Sequence, residues 1–480
     1  MLYSNVEFVV FFLIVLVLYR LLKRHSEWKF GLLVLASIFF YAWSGVMNLL
    51  VFCLVVCVSW FFVWMAAQAK DARAKKRWVL TGCVILAGHL FFWKYAAWVL
   101  TLLQEQHPRF MQGASFSLPL PIGISFFTLQ GIAYIVDYGR GAASYLTFRQ
   151  VFLAKSFFPQ LVAGPIVRMQ QIVPQLKNLE HPTLNELSEG AMLFVVGLFK
   201  KLAIADRMAI IADPVFAHSI NYSASAILLA TLAYSVQIWG DFSGYTDMGR
   251  GAAKMLGIHL PENFLSPYLA KSPSEFWRRW HITLSQWIRD YIYVPMGGSL
   301  GRPLRVLLVV MVTMGISGLW HGAATTFVVW GLYHGALLVI ERVAKNANLP
   351  LFGRRSSVIS MFALTMLGWL IFRATSMHEC VLMLSILSGN VAGGASNIEF
   401  APVLAGALAC FVLQLLSYRS LEPGSESLWS RRFFLLFGDG AIYRRQLVSA
   451  GLGLGFAILA IISLLLRVGA GAAPFIYFQF

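Results

Sequence analysis

Apolar runs of about 17–25 residues, divided by short polar or basic gaps, follow one another almost from end to end of the chain. A helix needs that length to cross a hydrocarbon core, and the runs are continuous rather than alternating, which excludes the two-residue period of a membrane β-barrel. The first four cover residues 6–22, 28–44, 48–67 and 78–103. Basic side chains occupy alternate gaps. Arg20, Lys23, Arg24 and Lys29 lie around the first, Ser44 and Gly45 fill the second, and Lys70, Arg73, Lys75, Lys76 and Arg77 fill the third. Cytoplasmic loops carry the excess of Lys and Arg, so this alternation puts residues 70–77 in the cytoplasm and the N-terminus outside. In residues 6–22 the positive charge follows the apolar run, the reverse of a cleaved signal peptide, and the segment reads as an uncleaved first span. Near the other end Arg431, Arg432, Arg444 and Arg445 precede a run at 446–466, which puts the C-terminus outside as well and implies an odd number of crossings.

The middle is less regular. Residues 116–136 carry Pro119, Pro121 and Gly123, and residues 150–167 carry Pro159 and Pro165. Broken apolar segments are tolerated at membrane depth where they are buried in protein or line a cavity. Further runs fit 190–212, 224–240, 304–320, 323–341, 357–373 and 400–418, with a shorter one at 377–389. The expectation is a single all-α polytopic domain over residues 1–480, with roughly ten to twelve membrane helices plus re-entrant or interfacial pieces. No internal repeat is visible, which weighs against a repeat-built transporter.

Composition agrees with this pattern: 59% of residues are hydrophobic and 12% charged, the latter about half the soluble norm. The net charge of +17 would raise nucleic acid as a partner for a soluble protein. Here the basic residues cluster in short loops between apolar runs, where topology explains them, and membrane lipid rather than nucleic acid is the implied partner. Cys53, Cys57, Cys83, Cys380 and Cys410 all lie inside apolar stretches without the spacing of a metal site, and read as small hydrophobes in packed helices.

Ionisable and polar groups at membrane depth are costly and therefore informative. They concentrate in residues 237–334. One group, Asp241, Ser243, Tyr245 and their neighbours, closes an apolar run; it fits either the lining of a wet cavity or a helix end among headgroups. A second, residues 274–291, reads as one amphipathic helix capped by Ser274. At 100° per residue Trp277, Trp280, His281, Leu284, Trp287, Ile288 and Tyr291 share a face, with Arg278 along its edge. The third is Gly318-Leu319-Trp320-His321-Gly322, between two runs flanked on both outer sides by Arg302, Arg305, Arg342 and Lys345. Those runs form a helical hairpin with His321 at its tip; His334, on the second arm, reads as structural. An imidazole exchanges a proton near neutral pH, which suits acyl transfer to a hydroxyl and equally a proton-coupled transporter.

Residues 277–293, followed by Gly297-Gly298 and by Gly318-Leu319-Trp320-His321-Gly322, closely resemble the membrane-bound O-acyltransferase (MBOAT) family, most of all its bacterial branch that O-acetylates exported polysaccharides such as alginate or cellulose. Supporting likenesses are Leu120-Pro121-Ile122-Gly123, Val162-Ala163-Gly164-Pro165, Gly197-Leu198-Phe199-Lys200-Lys201, Asp241-Phe242-Ser243-Gly244-Tyr245 and Pro474-Phe475-Ile476-Tyr477-Phe478, densest over residues 118–340. The resemblance implies a funnel and tunnel meeting inside the membrane and maps the family's near-invariant histidine to His321 and its second histidine to His281. Trp277, Arg278, Trp280, Trp320, Asp241, Ser243 and Tyr245 become candidate tunnel or substrate residues. It also implies a cytoplasmic acetyl donor, acetyl-CoA, with no bound cofactor or metal. The implied partners are periplasmic acetyltransferase subunits and a polysaccharide synthase and export complex at the bacterial inner membrane. The branch that moves D-alanine onto teichoic acid has an Asp where Arg278 stands here, which favours polysaccharide acetylation; peptidoglycan stays open as acceptor. A transporter of acyl groups without catalysis and a structural subunit of a synthase are the alternative classes.

The topology is tested by single-cysteine labelling of intact cells with an impermeant thiol reagent. Positions 70–77 are expected to stay unlabelled until the membrane is opened; labelling from outside would overturn the assignment.

Overall fold

The computed structural model describes residues 1–22, 26–106, 119–349 and 357–418. Lys23 and Arg24, the run at 446–466 with its preceding arginines, and the motif at 474–478 lie outside the described residues, as do residues 116–118 of the proline-rich segment. The described chain is all-α. Its helices are α1 (Val6–Leu21), α2 (Ser26–Ala42), α3 (Val46–Ala67), α4 (Ala72–Gln106), α5 (Ile124–Gly139), α6 (Phe148–Ser156), α7 (Met169–Lys177), α8 (Leu184–Phe199) and α9 (Asp206–Ala217), followed by α10 (Ala224–Met255), α11 (Pro273–Arg279), α12 (Ile282–Ile288), α13 (Pro303–His321), α14 (Thr325–Asn346), α15 (Ser357–Arg373), α16 (Met377–Leu387) and α17 (Phe400–Leu416). Among the described residues α3, α4, α13 and α14 are long and apolar enough to cross a membrane by length and composition, and α15, α16 and α17 are shorter apolar helices.

Contacts group the chain into two compact units. The first holds Met1–Phe194 and Thr246–Pro261. Its α3, α4 and α5 pack on one another, and Gly82 lets α4 approach α3: a Cβ there would stand 2.7 Å from Cβ of Phe62. The proline-bearing run at 150–167 is not one helix. α6 ends at Ser156, and the irregular chain beyond it is buried in protein, as a broken segment at membrane depth must be. Neighbouring side chains satisfy its backbone. The Tyr3 hydroxyl donates to the Phe158 carbonyl at 2.7 Å, and Ser37 Oγ accepts the Phe158 N–H at 3.2 Å. Lys155, also buried here, donates to Ser59 Oγ at 2.8 Å.

The second unit holds Val195–Tyr245 and the described residues from Glu262 on. Its centre is the α13–α14 hairpin, whose arms join through Gly322, Ala323 and Ala324. Two glycines bring the arms into backbone contact. A Cβ at Gly318 would lie 2.1 Å from the Phe327 carbonyl oxygen, and one at Gly331 would lie 2.3 Å from the Met314 carbonyl oxygen. Small residues at a membrane helix interface act in this way, since lipid offers no hydrophobic drive for helices to associate.

Three expectations change. The run at 190–212 is α8, a π-helical turn at Lys200–Ala205, and α9. The apolar run at 224–240 does not stop before Asp241: α10 continues to Met255, so Asp241, Ser243 and Tyr245 lie within a helix and are buried rather than set at an end among headgroups. Residues 274–291 are not one amphipathic helix. α11 breaks at Trp280 and His281, α12 follows, and Arg289–Tyr293 forms a π-helical turn. The cap of α11 is Ser272, whose side chain accepts the Glu275 N–H, while Ser274 donates its hydroxyl to Glu341 instead.

The helix crossing predicts a sharp asymmetry between glycines. Gly331→Ala inserts a methyl group against backbone and should cost about 1–3 kcal/mol. Gly88→Ala in α4 meets nothing within 4 Å and should be neutral or slightly stabilising. Thermal unfolding of the detergent-solubilised variants, followed by tryptophan fluorescence, compares them; equal melting temperatures would contradict the close crossing.

Candidate functional site

His321 is the last residue of α13 and His281 sits in the break between α11 and α12. Both are buried, and Trp320 joins them: its ring centroid is 4.9 Å from that of His321 and 5.9 Å from that of His281. His321 is further enclosed by Trp330 of α14 at 5.0 Å and Phe372 of α15 at 5.3 Å, both edge-on. Gly322 is required beside it, because a Cβ there would fall 2.1 Å from the Phe327 ring. The family resemblance pairs these two histidines, and in the structure Trp320 packs against both.

The backbone of His281 is left-handed, with φ 43° and ψ 55°. Such a conformation is uncommon outside glycine and persists only where its surroundings fix it. Asn263 does so. Its carbonyl oxygen accepts the Ile282 N–H at 3.0 Å, and its Oδ1 accepts the Thr283 N–H at 3.1 Å and the Thr283 hydroxyl at 2.9 Å. Oδ1 also lies 3.2 Å from His281 Nδ1. Phe242 of α10 presents its ring to the imidazole at 4.7 Å, nearly perpendicular. Nothing in local sequence pattern marks Asn263, which lies 18 residues before the histidine it touches.

His334 is the third buried imidazole of this cluster. Trp330 stands between it and His321, with centroids 4.9 Å and 5.0 Å away respectively, and Trp277 lies 5.2 Å from it. Neither nitrogen of His334 has a hydrogen-bond partner among the described residues. Gly368 of α15 makes room for it, since a Cβ there would be 2.8 Å from Nε2.

Below His321 a cavity of about 420 Å³ opens between α11, α12, α13 and α14. Ser317, one turn before His321, closes its inner end; Thr313 and Trp277 line its wall, and Arg289, Arg342 and Lys345 line the rest. The side-chain polar atoms of Ser317, Thr313 and Trp277 are buried, with no hydrogen-bond partner among the described residues. Glu341 anchors the floor. It accepts the Ser274 N–H and hydroxyl, each at 2.7 Å, and pairs with Lys345 at 2.5 Å. An apolar cavity with a few convergent polar groups has the composition of a small-molecule site.

The other candidates fall elsewhere. Trp280 is fully buried between Tyr268 and Trp369 and supports the α11–α12 break. Arg278 is exposed, and it is Arg279 that turns inward, bonded to Glu275 and to the Leu265 carbonyl. Asp241 forms a buried ion cluster: Lys201 Nζ lies 2.6 Å from its Oδ1 and 3.0 Å from Oδ1 of Asp206. Lys201 lies in the π-helical turn and Asp206 directly follows it, so this cluster ties α10 to the junction of α8 and α9. Phe242, between Asp241 and Ser243 on α10, is the residue of this stretch that packs on His281. Among the described residues no group of His, Cys, Asp and Glu could hold a metal ion.

The profile of the MBOAT, membrane-bound O-acyltransferase family matches residues 33–386. The probable alginate O-acetylase AlgI of Pseudomonas aeruginosa is 39% identical over 381 residues, covering 78% of this chain and 72% of that protein. The protein of the same name from Pseudomonas putida is 34% identical, covering 99% of each. The peptidoglycan O-acetyltransferase of Helicobacter pylori is 35% identical over 75% of this chain and 73% of its own.

The ion cluster yields a stability prediction. Lys201→Met leaves two carboxylates buried without their shared cation and should destabilise the protein by about 3–5 kcal/mol. Yield of membrane-inserted protein and its melting temperature report the loss; unchanged values would mean that the cluster contributes nothing.

Proposed function

Because the chain belongs to the membrane-bound O-acyltransferase family, and is thus a polytopic membrane acyltransferase, we propose that it takes acetyl groups from acetyl-CoA on the cytoplasmic side and delivers them for O-acetylation of an exported polysaccharide. The observation that carries this reading is the cavity ending at Ser317, about 6 Å along the helix from His321. Its outer part carries Arg289, Arg342 and Lys345, cations suited to the phosphates of a nucleotide thioester. Its wall carries the hydroxyls of Thr313 and Ser317 and the Trp277 indole N–H, suited to the amides of a pantetheine arm. The positive-inside pattern of Arg302, Arg305, Arg342 and Lys345 supports a cytoplasmic mouth.

In the proposed reaction the acceptor hydroxyl oxygen attacks the thioester carbonyl carbon. His321 takes the hydroxyl proton as the C–O bond forms. The C–S bond then breaks, and the thiolate leaves and takes the proton that His321 received. A positioned base contributes about 10²–10⁴-fold to such a step. His281 orients the acceptor hydroxyl beside it, and the packed indoles keep water from the thioester.

Full-length likeness to alginate O-acetylases favours alginate as the final acceptor, and likeness to a peptidoglycan O-acetyltransferase keeps the cell-wall polymer as the second reading. Periplasmic acetyltransferase subunits complete delivery, the inner membrane is the site of action, and both termini face the periplasm.

His321→Gln tests the assignment. Gln keeps a hydrogen-bonding group of similar reach but takes no proton at neutral pH. It should abolish acetylation as completely as His321→Ala, whereas a structural histidine would be partly rescued by Gln. The measurement is acetyl content of the secreted polymer, normalised to membrane-inserted protein. Near-normal acetylation by the Gln variant removes His321 as base and the reaction with it.

A further inference from the structure

We propose that Asn263 is a positioning residue that fixes the tautomer of His281, placing its proton on Nδ1 and its basic lone pair on Nε2. This rests on the acyl-transfer reading and names a residue that neither the sequence pattern nor the comparisons assign. The Thr283 backbone N–H can only donate, and it lies 3.1 Å from Asn263 Oδ1. The atom there must therefore be the amide oxygen, since a flipped amide would set N–H against N–H. An amide oxygen only accepts. His281 Nδ1, at 3.2 Å from the same atom, must carry the hydrogen. A neutral imidazole has one N–H, so the lone pair resides on Nε2.

The backbone makes the arrangement rigid. The Asn263 carbonyl holds Ile282 while its side chain holds Thr283, so one residue fixes the left-handed turn at His281 from both its chemistry and its geometry. The ring faces recorded against the imidazole are Phe242 of α10, Phe264 beside Asn263, and Trp320 of α13. None of these three is charged, and Trp320 also packs on the titratable His321. This is the relation of a base to its orienting partner in nucleophilic and acid–base sites, with an amide in place of the carboxylate. Nε2 so defined accepts a hydrogen bond from a second hydroxyl of the acceptor sugar and holds the sugar for attack, so that the attacking hydroxyl keeps its own hydrogen for His321.

Asn263→Asp and Asn263→Leu separate this role from simple packing. Asp keeps an oxygen for the Thr283 N–H, its hydroxyl and Nδ1–H, and adds a negative charge that favours the imidazolium. The rate at alkaline pH should stay within about threefold of the parent, while the acidic limb of the pH–rate profile moves up by about one unit or more. Leu removes the acceptor. The rate should fall about 10–100-fold with the KM for acetyl-CoA little changed, since the donor cavity is intact. The assay follows radiolabelled acetyl-CoA into polymer, between pH 5.5 and 9, in membranes of the cells that make the polymer, so that its partners are present. An Asp profile superimposed on the parent, or a Leu variant with more than a third of parent activity, overturns the proposal. Should Leu fail to insert, the Asp profile alone decides. His321→Gln in the same membranes separates the two assignments. If that variant is active the general-base reading fails, whatever the Asn263 profiles show; if it is inactive and the Asp limb does not move, only the role of Asn263 fails.

Discussion

The backbone contact between α13 and α14 at Gly318 and Gly331 is the constraint on which the rest of the site depends. Hydrocarbon offers apolar helices no reason to pair, so packing has to supply it, and packing is strongest where two backbones meet without side chains between them. The two glycines place the helices at that distance. Trp320, His321 and Trp330, all within a turn or so of the crossing, then have almost no freedom. Their aromatic neighbours on α15 close the remaining sides. A histidine at the tip of a loosely packed hairpin would sample several rotamers; here Phe327 over Gly322 and the edge of Trp330 leave it one environment.

The second constraint is that every polar group at membrane depth needs a partner. The chain meets it in two ways. Lys201, Asp206 and Asp241 satisfy one another at a helix junction, and Glu341 serves the first turn of α11 and Lys345 together. Ser317, Thr313, Trp277 and His334 are left unmatched by protein among the described residues, and three of the four line the same cavity. The matched groups named here hold helices together, and three of the unmatched ones face a space suited to a ligand.

Much of this was legible in the sequence. The opening helices and the hairpin with His321 at its tip followed from run length and flanking charge, and the pairing of His281 with His321 came from the family resemblance. What escaped has a common physical cause. A helical wheel assumes uninterrupted α geometry, so it drew residues 274–291 as one stripe; the break at His281 is imposed by Asn263, through tertiary bonds that no local window contains. A hydropathy window ended the run at 240 because Asp241 is charged, yet Lys201, 40 positions upstream, neutralises it and α10 runs on. Ser274 looked like the cap of α11, but Glu341, 67 residues away, had claimed it. In each case polar chemistry at long range overrode a rule written for one segment.

The same logic explains why His281 stands at a helix break. A residue in the interior of a regular helix points its side chain where the helix axis dictates. A left-handed residue between two short helices is aimed by whatever fixes its backbone, and here that is Asn263, which also bonds the imidazole. Orientation and tautomer are thus controlled by one side chain. His321 reaches comparable rigidity by the opposite route, through helix regularity and glycine-enabled contact. Two imidazoles fixed by independent means, one by hydrogen bonds and one by packing, can hold a donor and an acceptor in register within a low-dielectric site, where misplacement by a fraction of an ångström carries a large cost in rate.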